Sequence, residues 1–551
     1  MNLPEPQSLN YTSLMTDIAK GIIKIPQFQR DFVWDKQKSA ALLDSIMKGY
    51  PIGTFILWKT KEELRSIRNL GGLDLPVTPK GDYIQYVLDG QQRLTSLFAS
   101  LNGLKIQRAD REEDFSEFYL DLDAGDEDPI VLTDLSGTNG HSTIKLHTLL
   151  HGTLSELNAF PQEYHSRIDT YRKRVDSYQF SSVLIKDAPI EVATEIFTRL
   201  NVSGKALSVF EIMVAKTFDS KANFDLAEKY DKLRDELETV DYGTVPESVV
   251  LQTLSVLLTK ECQKRHILKL KRAEVVKAWP ATSDAIKEAV EYFRNSLRIP
   301  VSKLLPYQNL IVPFAYYFHQ SKGKLKGDAK KRMDDYFWRA SLGGRYSQSL
   351  ESHLAQDIRK VDEIIKGKLP KYEWAIDISV NFIEDNGFFS LSRSYVKALL
   401  CVLAYQRPQS FMDNSEVRIS NDWLKQANSK NYHHFFPKAF LKKQGEDDFH
   451  INHIANITIV DDWLNKREIK AKPPSKYMRQ FQKDNETLDA CMKTHLIRLN
   501  AFGIFEDDYD MFFLGRCKKI SSELKKRLIP QEVDRRESAT AARDTDELEA
   551  E

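Results

Sequence analysis

Apolar residues spaced three and four apart dominate the first fifty positions. Leu14, Ile18 and Ile22 form one stripe, and Ala40, Leu43, Ile46 and Met47 form another. That spacing places each set on one side of a helix. Residues 9–49 therefore read as helix, extended piece, helix, the extended piece set by Ile25-Pro26, because a residue before proline avoids helical backbone. Four short runs rich in aromatic and aliphatic residues then read as strands: 53–58 (GTFILW), 83–88 (YIQYVL), 117–122 (EFYLDL) and 180–185 (FSSVLI). They predict a mixed α/β first domain over 1–215, closed by a helical stretch from Phe197 to Lys216 that breaks at Ser203-Gly204. Strand signals nearly vanish beyond Asp219. Residues 216–375 read as a helical connector with a basic face of Lys264, Arg265, Lys269, Lys271 and Arg272, and the helical pattern returns from Tyr395 to Tyr405 in a third domain, 376–530. Within that domain, the stretch from Lys430 to Tyr477 is dense in His, Asn, Lys and Pro. The charged end, 531–551, lacks aromatics and reads as a disordered tail.

Composition narrows the class. A chain of 551 residues is too long for one core and predicts two to four domains. Lys plus Arg and Asp plus Glu both number 79, so any grip on nucleic acid must come from local patches rather than from the net field. Cys262, Cys401, Cys491 and Cys517 are far apart and show no CxxC spacing, which argues against a disulfide scaffold and fits a reducing cytoplasm. The start lacks the basic and apolar regions of a signal peptide, and no apolar run approaches the roughly 20 residues that span a bilayer. The expectation is a soluble, cytoplasmic protein with no membrane partner.

Two places carry chemistry. At the front, the run YIQYVL leads into Asp89-Gly90-Gln91-Gln92-Arg93 and then into a helix. A turn glycine at a helix start leaves backbone N–H groups facing an anion. Arg93 adds a fork suited to phosphate, Asp89 suits a metal ion or a ribose hydroxyl, and the two glutamines suit a base or a sugar. The same residues also fit a plain strand-to-helix turn with Arg93 paired to Asp89.

Three separated blocks, IPQFQRDFVW followed by Pro51-Ile52-Gly53, YVLDGQQRLTSL, and EIFTRLNVSGKALSVFEI, occur in this order over the first two hundred residues. In them the chain resembles the GmrSD-type modification-dependent (type IV) restriction proteins, whose first domain is similar to the ParB nucleotide-binding fold. The resemblance implies nucleotide binding and hydrolysis at Asp89, Gly90, Gln91, Gln92 and Arg93. Gln29 and Arg30 follow an extended segment and suit the same pocket, with Phe28, Phe32 and Trp34 equally readable as core. Arg199 suits a phosphate or an ion pair, and Asn201 is assigned to the pocket beside the break at Gly204.

At the back the chain reads YHHFFPK (432–438), NHIANITI (452–459) and NKREI (465–469). Phosphodiester hydrolysis needs a group to take a proton from water and a cation at the scissile phosphate. Histidine suits the first task, and His, Asp or Asn ligands suit the second. Neighbouring histidines on a strand point to opposite faces unless the backbone bends. A structural zinc site from His433, His434, His450 and His453 is the alternative, although no cysteine lies nearby, and plain surface histidines are another.

This pattern resembles the ββα-metal (HNH) nuclease core at the C-terminus of GmrSD-type proteins. The resemblance implies His434 as general base, His433 and Asn465 as metal ligands, and Asn456 as the residue that orients the base. Two departures stand out: the family often has an acidic residue where His433 lies, and Asn452 competes with Asn456 for the middle position. Lys438, Lys466 and Lys470 suit contacts to DNA phosphates, within a locally basic stretch that also holds Lys442, Lys443, Lys472, Lys476 and Arg479. Mg²⁺ or Mn²⁺ suits a site of oxygen and imidazole donors without thiolates. A further run, Arg345-Tyr346-Ser347 with Glu351 and Ser352, resembles related proteins at a similar place without a chemical role.

The resemblance thus implies an anti-phage restriction endonuclease that senses modified double-stranded DNA, hydrolyses a nucleoside triphosphate and nicks or cuts with a metal-dependent HNH site. The residues do not distinguish GTP, ATP, UTP or CTP, and long central helices are compatible with a homodimer. The rivals are a non-catalytic DNA-binding regulator and an RNA-directed HNH nuclease, the second disfavoured by the lack of aromatic-rich basic segments.

Overall fold

The computed structural model describes residues 3–26, 32–62, 64, 66, 69–70, 73–74, 82–107, 112–125, 127–136, 142–200, 208–219, 221–322, 325–421, 433–460, 469 and 471–534. The chain divides into two compact units, Met1–Leu226 and Ala227–Glu551. Residues 227–375 of the expected connector and the stretch expected as a third domain fall within the second, and residues 216–226 within the first.

The first unit is mixed α/β. Its main sheet has the spatial order Glu5–Asn10, Gln179–Lys186, Phe55–Thr60, Ile84–Asp89, Ile23–Lys24. Phe55–Thr60 runs parallel to Gln179–Lys186 and antiparallel to Ile84–Asp89. These two central strands are largely buried along their length, as expected where a sheet is covered on both faces. The apolar stripes behave as the spacing predicts: Tyr11–Ala19 buries Leu14 and Ile18, and Lys36–Met47 buries Ala40, Leu43, Ile46 and Met47. The strand expected over 117–122 shortens to Tyr119–Asp121 and joins a separate three-stranded sheet with Val131–Leu132 and Thr143–Lys145. The edge strand Glu5–Asn10 gives no hydrophobic signal because it is mostly exposed, and Pro6 is tolerated at an edge.

The second unit is largely helical. Glu247–Thr259, Arg272–Asn295 and Ile311–Ser321 pack on one another, with Gly327–Leu342, Leu350–Ile365, Ser394–Tyr405 and Tyr509–Lys525 around them. Two of its buried arginines are paired with carboxylates. Asp357, fully buried, accepts hydrogen bonds from Arg345 (3.0 Å) and from the hydroxyls of Tyr346 (2.9 Å) and Tyr336 (3.2 Å). Arg345 also lies 4.2 Å from the centre of the Trp374 ring. Arg345 and Tyr346 of the Arg-Tyr-Ser run thereby form a buried clamp, and the exposed Ser347 bonds the Tyr307 hydroxyl at 2.7 Å. Arg339, also fully buried, bonds Asp335 on its own helix and takes both carboxylate oxygens of Asp534, at 2.9 and 2.6 Å. Residues 531–534, at the start of the stretch expected as a tail, are docked through these bonds, and the rest of that stretch lies outside the described residues. A carboxylate beside a buried guanidinium offsets the cost of desolvating it, and Asp534 supplies one to Arg339.

Candidate functional site

The front motif forms where the strand Ile84–Asp89 turns directly into the helix Gln91–Leu101. Gly90 makes the turn at φ +92°, and a Cβ there would fall 2.5 Å from the Phe55 ring. Both the backbone and the space require glycine. Every residue of the helix except Arg93 is buried. Arg93 donates to the carbonyls of Ile52 (2.7 Å) and Thr54 (3.1 Å) and to Oδ2 of Asp89 (3.1 Å), with its guanidinium 5.3 Å from the centre of the Phe55 ring. Gly53 completes the fit, since a Cβ on it would lie 2.2 Å from an Arg93 nitrogen. Gln92 turns the other way, and its side-chain oxygen accepts from the backbone N–H groups of Val33 (2.8 Å) and Trp34 (3.3 Å).

Three stretches distant in sequence, around Trp34, Gly53 and Asp89, are thus tied together by Gln92 and Arg93. The Arg93 fork is spent on protein oxygens, which is the strand-to-helix corner that the residues alone equally allowed. Gly90 provides no side-chain cap to the helix, and Asp89 beside it is half-exposed. Gln29, Arg30 and Asn201 lie outside the described residues. Arg199 is exposed on Ile190–Leu200 and pairs with Glu195 at 2.7 Å, the ordinary i,i+4 contact of a helix surface.

The back motif folds as a short antiparallel pair, His433–His434 against Ile457–Thr458, with His433 opposite Thr458 and His434 opposite Ile457. The two histidines have different surroundings. His433 is buried among Phe411, Phe435 and Tyr477, and its Nδ1 is 2.6 Å from the Thr458 hydroxyl. Burial pushes its pKa well below the usual imidazole value, with His434, His495 and Arg516 adding to the fall. The ring is turned into an aromatic core, and its Nε2 is buried without a hydrogen-bond partner among the described residues.

His434 is half-buried, and its Nε2 is 3.2 Å from Oδ1 of Asn452. Asn456 does not carry a hydrogen bond to the imidazole. Its fully buried amide accepts from the Phe436 N–H (2.8 Å) and donates to the carbonyls of Phe436 and Ile451 (3.0 Å each). It braces the turn two residues beyond His434, so it positions the backbone that carries that residue. Pro437 then starts the helix Lys438–Gln444, whose first residue, Lys438, is half-buried. Burial lowers the pKa of that ammonium.

The remaining histidines separate from this pair. His453 is fully buried with Nε2 bonded to the Ile383 carbonyl (2.9 Å) and Nδ1 accepting from the Ala455 N–H (3.0 Å), and burial pulls its pKa down to about 4. His450 pairs with Asp447 at 2.9 Å, near an acidic and aromatic cleft lined by Glu384, Asp385, Tyr509, Asp510 and Phe513. Among the described residues, no three His, Cys, Asp or Glu side chains come together as a metal site, which removes the four-histidine zinc alternative. Asn465, Lys466 and Lys470 lie outside the described residues.

Arg516 is a positioning residue that sequence reading missed. From the helix Tyr509–Lys525 it reaches the carbonyls of Ala455 (2.8 Å) and His495 (3.2 Å), fully buried. Its signal was a lone arginine on an otherwise apolar face with Phe512, Phe513, Cys517 and Ile520. Burial of that kind lowers its pKa to about 9.

Residues 11–218 match the family model described as the GmrSD restriction endonuclease, N-terminal domain. An uncharacterized protein of Methanocaldococcus jannaschii is 24% identical, over 95% of this chain and 98% of its own length. The first unit is thus similar to the N-terminal domain of GmrSD restriction endonucleases.

Proposed function

We propose that this protein is a restriction endonuclease that cleaves modified double-stranded DNA at the His434 site and binds a nucleoside triphosphate at the Asp89–Arg93 corner. The observation that carries the reading is the presentation of His434. A two-strand pair holds it at the protein surface, Asn452 engages one ring nitrogen, and Asn456 fixes the turn behind it. In the reaction, His434 takes a proton from the attacking water, the new P–O bond forms, and the 3′ oxygen leaves. Lys438 lies four residues on, at the start of a helix, where a cation suits a phosphate. A divalent cation, Mg²⁺ or Mn²⁺, would neutralise charge on the scissile phosphate. The described residues do not assemble its ligand set. In the first unit, the helix N-terminus at Gly90 receives a nucleotide phosphate, and Asp89 faces the sugar or its accompanying cation. Arg93 serves this site by holding its frame.

The test is cleavage of glucosylated, hydroxymethylated and plain phage DNA by the purified protein, with and without each nucleoside triphosphate, in Mg²⁺, Mn²⁺ or EDTA. Cleavage that prefers modified DNA, needs the cation and disappears in His434→Ala supports the reading. DNA binding without cleavage under every condition supports the regulator instead, and cleavage confined to RNA supports the RNA-directed nuclease.

A further inference from the structure

From Lys260 to Arg272 the chain carries six Lys or Arg against one Glu, within a protein whose opposite charges balance at 79 each. The structure makes this run a fixed ledge. Lys260, at the end of the helix Glu247–Thr259, pairs with Asp362 at 2.6 Å, and Cys262 donates from Sγ to the Glu351 carbonyl at 3.2 Å. Both are thereby tied to the helix Leu350–Ile365. Lys264–Ile267 is a single helical turn. It continues through bonds from the N–H groups of Leu268, Lys269 and Leu270 to the carbonyls of Lys264, His266 and Ile267, at 3.0, 3.1 and 3.1 Å. Ile267, Leu268, Leu270 and Val275 are buried beneath the run, whereas Lys264, Arg265, Lys269 and Lys271 are exposed. Among the described residues no carboxylate pairs with these four side chains. The adjoining carboxylates have other partners: Glu261 lies 3.9 Å from His266, and Glu274 accepts from the Lys271 backbone N–H at 3.1 Å. Elsewhere in the second unit, by contrast, Lys287, Lys331, Lys493 and Lys526 each meet a carboxylate three or four residues away.

Cations left without carboxylates on an ordered ledge suit a polyanion, because a backbone already fixed loses little freedom on binding. A bilayer surface needs exposed apolar anchors, and no large apolar side chain between 264 and 277 is exposed. A single strand needs aromatic side chains on which its bases stack, and the run has none. Three of the four cations are lysines, which act as point charges on phosphate rather than as forks on base edges. We infer that Lys264, Arg265, Lys269 and Lys271 form a contact tract for the phosphate backbone of double-stranded DNA, remote in sequence from His434. The choice of duplex rests on the DNA-cleavage reading above. The tract adds salt-dependent affinity that is the same for modified and plain bases.

The test is binding of a short duplex, plain or glucosylated, by the full chain in EDTA, followed by fluorescence anisotropy as salt is raised. One variant carries Lys264→Gln, Arg265→Gln, Lys269→Gln and Lys271→Gln together. The control carries Lys287→Gln, Lys331→Gln, Lys493→Gln and Lys526→Gln, which removes the same charge from paired positions of the same unit. The first variant is expected to lose at least about tenfold in affinity at low salt, with a log–log salt slope shallower by about 2–4. The control should lose severalfold less. The loss should be equal on both duplexes, since backbone contacts carry no base information. Equal losses in the two variants, a loss confined to glucosylated DNA, parental binding by the first variant, or no duplex binding by the parent overturns the inference. Binding in EDTA needs no turnover, so the two readings fail separately. A His434→Ala protein that cuts like the parent sinks the nuclease assignment and leaves tract-dependent binding in place.

Discussion

His433 and His434 are adjacent in sequence and share no surroundings. The strand alternation sends one ring into aromatic packing and the other to the surface, which residue spacing anticipates in kind but cannot resolve in direction. His433, His453 and His495 are all buried, and burial lowers each pKa, to about 4 for the last two. Their folded pKa values lie below the unfolded value near 6.5, so between those limits the unfolded chain binds more protons. Stability is fully present above about pH 6.5 and is lost as pH falls toward 4. At pH 5 the loss is about 2 kcal/mol for each of His453 and His495, measurable as a falling urea midpoint for the second unit. A midpoint unchanged from pH 7 to pH 5 would contradict the neutral, buried assignment. At the front corner, Arg93→Lys keeps the charge but loses the fork that serves two carbonyls and Asp89. A loss of about 1–3 kcal/mol is expected in thermal unfolding of the first unit, even without nucleotide. An Arg93→Lys protein of parental stability that fails to bind nucleotide would instead make Arg93 a direct phosphate ligand.

The elements most legible in sequence were those whose burial is one-sided. The helices around Leu14 and Leu43 and the strands at Phe55, Ile84 and Phe180 formed within a few residues of their expected bounds. The misses have physical causes. Glu5–Asn10 is a polar edge strand whose pairing is supplied by backbone, and Tyr119–Asp121 satisfies its pattern in a different sheet. The candidate site was legible as motifs, because DGQQR and HHFFP each require a local turn. The division of labour within it was not, because Gln92, Arg93, Asn452 and Asn456 take their roles from partners many residues away. Asn456 illustrates the scale at which this matters. It links the turn at Phe436 to the end of the helix at Ile451. Asn456→Ala strands three buried backbone groups, for an expected loss of about 3 kcal/mol or more. Hydrogen exchange at the Phe436 amide should accelerate more than exchange in the helix Arg272–Asn295. Equal acceleration everywhere would show that Asn456 supports the whole unit rather than this corner.

The whole chain combines a mixed α/β unit with a larger helical one, and the second is closed by its own C-terminal residues. Asp534 meets the buried Arg339 with both oxygens. Asp534→Ala leaves that guanidinium with Asp335 as its carboxylate and should cost about 3 kcal/mol in unfolding of the second unit. The exposed Lys493–Asp489 pair is the control, with an effect under about 1 kcal/mol in Asp489→Ala. Equal effects would remove the argument for a buried latch. Among the described residues, no helix is long and apolar enough to cross a membrane. The central claim remains that the protein cuts DNA through His434. Its most direct test is cleavage of modified phage DNA by the full chain in Mg²⁺ or Mn²⁺, with each nucleoside triphosphate, beside a folded His434→Ala variant. The account predicts cleavage by the parent and at least a hundredfold loss in the variant. Equal cleavage by both proteins would contradict it.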